Sequence, residues 1–158
     1  MPSPQEKDTK KRAKIVVVVG LPINDAGQFL LTQRHAPHAT KLHNRWQLAG
    51  GAIEFGETPE QALKREFQEE LGVKITILED RPFAITNVWP AEPGGHRIET
   101  HALVLSYLVR LAPQHHNQTS FTTDEETGDA RWFTAQEIMS LDTFPNVQKV
   151  VNAALKLL

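Results

Sequence analysis

The chain has 158 residues, 19 acidic against 17 basic side chains and a formal charge of -2; that size suits one domain, and that charge argues against a coat for polymeric nucleic acid. Cysteine is absent, which excludes disulfides and thiolate metal sites. No apolar run approaches the roughly 20 residues of a membrane span, and MPSPQEKDTKKRA lacks the apolar core of a secretory signal, so the expectation is a soluble, cytoplasmic protein with no membrane partner.

Residues 1–13 are polar and include Lys10, Lys11 and Arg12; they read as a flexible tail ahead of a single domain over residues 14–158. Residues 14–20, KIVVVVG, form a β-branched run suited to a strand covered on both faces. A turn at Asn24-Asp25-Ala26-Gly27 then predicts a returning strand over residues 28–33. The following stretch, RHAPHATKLHNR, holds Arg34, Lys41 and Arg45 without any acid, a local positive field suited to phosphate oxygens. Arg34 is the best single candidate because it ends a strand, with Arg45 behind it. The spacing of His35, His38 and His43 fits no common zinc site.

Thr58-Pro59-Glu60-Gln61 predicts a helix start, with Thr58 as N-cap, Pro59 at the first helical position and Gln61 closing a capping box. Gly72 ends that helix. Leu63, Phe67 and Leu71 recur at four-residue steps and form a stripe to be buried on the sheet, while Glu66, Glu69 and Glu70 occupy the adjacent stripe. Such crowded carboxylates repel one another unless a cation neutralises them, and their hard oxygens suit Mg²⁺, with Mn²⁺ as a substitute.

Residues 73–78 and 83–89 predict two further strands, and residues 97–111 a central one. Trp89, at a strand end beside the turn-rich loop 90–96, is either a stacking surface for a base or a packing residue. The polar stretch 113–129 reads as a mobile loop carrying Asp124, Glu125 and Glu126. A short strand at 130–133, a Thr134-capped helix to Leu141 and a final helix over 146–158, with Val147, Val150, Val151, Ala154, Leu155 and Leu158 on its apolar face, complete the chain.

Residues 51–73, GAIEFGETPEQALKREFQEELGV, resemble the signature of the Nudix hydrolases, G-x5-E-x7-R-E-U-x-E-E-x-G-U, where U is a bulky aliphatic residue. Every fixed letter is present: Gly51, Glu57, Arg65, Glu66, Glu69, Glu70 and Gly72. Phe67 and Val73 stand at the U positions, and Ala49 stands where the family commonly has proline. The resemblance implies an α/β protein, the Nudix α/β/α sandwich around a mixed β-sheet, and Mg²⁺-dependent cleavage of a pyrophosphate bond in a nucleoside diphosphate derivative. It makes Glu66 and Glu70 the principal metal ligands, Glu69 a third ligand or the base, and the Gly51 carbonyl a further ligand. Glu57 reaches the metal through water or braces the loop, and Arg65 orients a carboxylate, with Glu57 the first candidate. An additional acid is expected from Asp124, Glu125 or Glu126, and Phe55 faces substrate or packs.

The sequence AIEFGET and the chain length favour a small MutT-like enzyme that converts a nucleoside triphosphate to monophosphate and pyrophosphate. Hydrolysis of ADP-ribose, a nucleotide sugar, a dinucleotide or coenzyme A is the alternative, and a catalytically silent ligand-binding domain is the third. Leu30-Leu31-Thr32-Gln33-Arg34 is similar to a run in the coenzyme A pyrophosphatases, but the Phe-Pro-Gly-Gly that should follow is replaced by Leu48-Ala49-Gly50-Gly51. A homodimer stays open.

Overall fold

The computed structural model describes residues 11–39, 41–92 and 96–158. The expected tail therefore lies outside the described residues up to residue 10, and its last residues do not belong to a tail: β1 (Arg12–Pro22) starts at Arg12. Strand β1 runs parallel to β7 (Glu99–Leu111) over its whole length and antiparallel to β4 (Ala49–Ala52). The other edge of β7 is shared by β5 (Ile75–Ile77), which pairs with Val109–Leu111, and β6 (Phe83–Trp89), which pairs with Thr100–Ser106. These five strands form a mixed sheet.

The turn after β1 is present, with Gly27 at φ 74° donating to Asn24 O at 3.0 Å, but it does not build the expected hairpin. Only an isolated Ile23–Phe29 bridge joins its two arms. Both hydrogen-bonding edges of β1 are already occupied by β4 and β7, so β2 (Phe29–Arg34) pairs elsewhere, with β3 (Trp46–Gln47) and β8 (Thr127–Phe133), in a second sheet. Strand β8 begins three residues before the expected position, because Thr127 is held opposite Arg34. The stretch before it also carries a 3-10 turn, Pro113–His115.

Helix α1 (Pro59–Leu71) covers one face of the five-stranded sheet: Leu63 and Phe67 are fully buried in one cluster with Val18, Tyr107 and Val109. Helix α3 (Val147–Leu155), preceded by the short α2 (Ala135–Ile138), covers the other, with Val150 and Val151 packed in a cluster with Leu21 and Leu108. The β-branched run of β1 is covered on both faces only in part: Val18 is buried and Val17 and Val19 are half-buried between the two helical layers, but Val16, expected to be covered, is 38% exposed. Gly20 permits the close seating of α1, since a Cβ there would stand 2.6 Å from Phe67 Cε2.

Candidate active site

The local chemistry of α1 sets the site. Thr58 accepts from Gln61 N, and the Gln61 side chain accepts from Thr58 N, closing the capping box. At the other end Gly72 adopts the left-handed conformation and donates to Gln68 O. With both ends fixed and Leu63, Phe67 and Leu71 buried, the rotation of the helix is determined, and so is the direction of its acidic stripe.

That stripe meets β4. Glu70 Oε2 accepts from Gly50 N at 3.1 Å, and Glu66 lies so close to Gly51 that a Cβ there would fall 2.5 Å from Glu66 Oε1. A Cβ would meet a different obstacle at each of these two positions. At Gly50 φ is 150° and a Cβ would stand 2.0 Å from Val18 O, against backbone; at Gly51 only a carboxylate is in the way.

Arg65 ties the remaining acids together. Its Nε and one terminal nitrogen hold the two oxygens of Glu57 at 2.8 and 2.9 Å, a bidentate pair, while the other terminal nitrogen donates to Glu66 at 2.9 Å and Glu69 at 3.2 Å. It also stands 3.7 Å from Glu54 and donates to Ala52 O. Glu57 in turn accepts from Glu54 N at 2.8 Å, bracing the loop. Sequence reasoning assigned Glu54 no role; its three-residue spacing from Glu57 inside one tight loop was the available signal.

The electrostatics divide the acids. The Arg65 guanidinium holds Glu57 below the usual carboxylate range, and Arg65 is itself pushed up, first of all by Glu57. Glu66 is raised by burial, against the pull of Arg65. Glu70 is raised to about 8, by burial first, then by repulsion from Glu66, with smaller contributions from Asp124 and Glu126; the Gly50 N–H opposes the shift. Glu70 therefore occupies a place where a full negative charge demands a proton or a cation. Among the described residues no three His, Asp or Glu side chains form a preformed metal site; Glu54, Glu57, Glu66 and Glu69 are gathered on a guanidinium instead. The donor set nevertheless fits a hard divalent ion: carboxylate oxygens, one of them buried with a single N–H for company, beside the backbone of two glycines.

This arrangement coincides with a family match: the NUDIX domain family matches residues 13–155. The chain belongs to that family, the Nudix hydrolases. It is 29% identical over 126 residues to nucleoside triphosphatase NudI of Enterobacter sp. (strain 638), covering 76% of this chain and 82% of that protein. It is 35% identical over 109 residues to 8-oxo-dGTP diphosphatase of Haemophilus influenzae, covering 56% and 79%. The MutT protein from Methanosarcina mazei Go1 superposes with a TM-score of 0.68 at 19% identity, over 93% of this chain and 96% of that one, and shares the fold.

Around the Nudix helix the other candidate residues separate. Arg34 ends β2 with one terminal nitrogen 3.3 Å from Glu126, while its Nε is buried with no hydrogen-bond partner among the described residues. Asp124 and Glu126 lie near enough to act on Glu70. Phe55 is fully exposed. Trp89 stacks on His96, with ring centroids 4.7 Å apart and planes at 8°. Arg45 is engaged elsewhere, donating to Asp142 and Thr143 O and lying over the Phe144 ring. His35 and His43 meet edge to face, and His43 Nδ1 accepts from Ala36 N, so local packing uses these rings.

Proposed function

We propose that this Nudix hydrolase cleaves a pyrophosphate bond of a nucleoside triphosphate, giving the monophosphate and pyrophosphate, with Mg²⁺ or Mn²⁺ at Glu66, Glu70 and the Gly51 carbonyl. The observation that carries the reading is Glu70, a carboxylate buried beside Glu66 and raised to about 8, which a cation-free resting role does not explain. The names of the relatives, a nucleoside triphosphatase and an 8-oxo-dGTP diphosphatase, support the triphosphate over other diphosphate derivatives. Bound Mg²⁺ supplies charge neutralisation at phosphate oxygens and acidifies water for attack on phosphorus. Glu69, 56% exposed, would take the proton of the attacking water or complete the ligand set. Arg65 fixes Glu57 and limits the freedom of Glu66 and Glu69, and Arg34 supplies a guanidinium nitrogen for a phosphate oxygen.

A panel of nucleoside triphosphates, ADP-ribose, nucleotide sugars, dinucleotides and coenzyme A, assayed with and without Mg²⁺ and with product identification, tests this. Pyrophosphate release from a triphosphate is expected. Turnover confined to the other diphosphates would overturn the substrate assignment, and binding without any turnover would leave a silent ligand-binding domain.

A further inference from the structure

The face of the five-stranded sheet turned away from α1 carries a cavity of about 490 Å³ beside the C-terminal half of α3. Its origin is side-chain size. Phe83 pairs directly with Ser106 across β6 and β7, so the two share this face, and Leu108, two residues on, joins the α3-side cluster. Helix α3 presents Val150, Ala153 and Ala154 to the same space, with Leu157 just beyond its end. A small hydroxyl residue below and two alanines above leave a gap that larger side chains would fill, and its volume lies in the range of small-molecule sites.

Two features define what the cavity would take. Ser106 is 4% exposed, and its Oγ has no hydrogen-bond partner among the described residues, an unfavourable state for a buried hydroxyl that a ligand group would relieve. The charged lining residues, Glu79, Asp80 and Arg81, all come from the connection between β5 and β6, and Asp80 and Arg81 are exposed. The floor and the helical wall hold no charge, so a charged ligand would lose its water without gaining a counter-charge.

We propose that this cavity binds an uncharged aromatic molecule of one or two rings with a single hydrogen-bonding group, its ring beside Phe83 and its polar group on Ser106 Oγ. Phe83 is 40% exposed, and binding in this mode requires its ring to turn aside and uncover the hydroxyl opposite. The site is independent of the reaction at the acid cluster, which lies with α1 on the other side of the sheet.

The test uses the full chain, with phenol and toluene as probes of equal ring size, followed by amide chemical shifts. Phenol should give saturable shifts centred on Phe83, Ser106 and Ala154, and should bind about 5-fold more tightly than toluene, the effect of one ordinary hydrogen bond. Ser106→Ala should erase that preference while both probes still bind, and Ala153→Leu should abolish binding of both. Shifts that fail to saturate or centre elsewhere, or a phenol preference that survives Ser106→Ala, would overturn the proposal. Because the comparison of phenol with toluene needs no variant, it decides the matter even where a substitution impairs folding.

Discussion

Glu70 combines two opposed demands at one residue. Its carboxyl is raised from an ordinary value of 4.5 to about 8 by burial and by Glu66, so in metal-free protein the native state holds a proton that the unfolded chain has already released. A raised acid contributes no penalty below about 4.5, where both states are protonated. The penalty then grows as pH rises towards about 8, and stays constant above it. Metal-free protein is therefore expected to lose stability across that window, by on the order of 5 kcal/mol. Glu70→Gln should flatten this segment of the profile and be the more stable protein at its upper end. The same substitution should lower Mg²⁺-dependent turnover by roughly 10² or more, since one ligand charge is gone and the shape is kept. Melting curves in chelator across the pH range, read beside turnover, check both signs; a variant less stable than the parent at high pH would contradict the burial argument. The identity of this residue was legible in the sequence, because Glu66, Glu69 and Glu70 are neighbours on a helix. Its burial, the first cause of its raised pKa, was not legible: that depends on how α1 seats against β4, whose residues are distant in the chain.

The same contrast between local and remote causes holds for the elements. Helix α1 could be read from its cap, its capping box, its four-residue apolar stripe and its terminal glycine, because all four are contained in residues 58–72. The pairing of β1 could not, since its partners Ala49–Ala52 and Glu99–Leu111 lie far along the chain and compete with the nearer β2. Strand β4 shows what such pairing does for the site, as its two glycines face different neighbours. Gly51→Ala sets a methyl against the end of the flexible Glu66 side chain, which can swing away, so stability should change by less than about 1 kcal/mol. The displaced carboxylate should nevertheless weaken Mg²⁺ binding about tenfold. Gly50→Ala drives a methyl into Val18 O at a backbone angle that alanine rarely adopts, and a loss of about 3 kcal/mol or more is expected, with β4 detached from β1. Denaturant titrations and metal-binding calorimetry separate the two outcomes; equal destabilisation by both substitutions would contradict the geometry.

At the scale of the molecule, the question is whether the two sheets and two helical layers unfold together, and β2 bears on it. Its adjacent residues point to opposite sides: Leu30 is buried in the α1-side cluster with Val18 and Leu63, and Leu31 in the α3-side cluster with Leu21 and Val151. One strand of the three-stranded sheet thus spans both cores, and neither helical layer can dissociate without exposing a neighbour of the other. The acid cluster joins the same unit, because Arg34 at the end of β2 pairs with Glu126 just before β8. Leu30→Ala and Leu31→Ala should therefore behave alike despite their separate cores. Each is expected to cost about 2–5 kcal/mol, and in each variant unfolding followed by tryptophan fluorescence should coincide with unfolding followed by far-ultraviolet circular dichroism. If β2 were a lesser strap across two autonomous halves, Leu31→Ala would instead melt the α3 layer first and split the two signals. Leu30→Ala would leave that layer unchanged. Coincident curves for both variants would make the metal-facing stripe of α1 sensitive to packing on the far side of the sheet, and Mg²⁺ should then raise the midpoint of either variant in the same single transition.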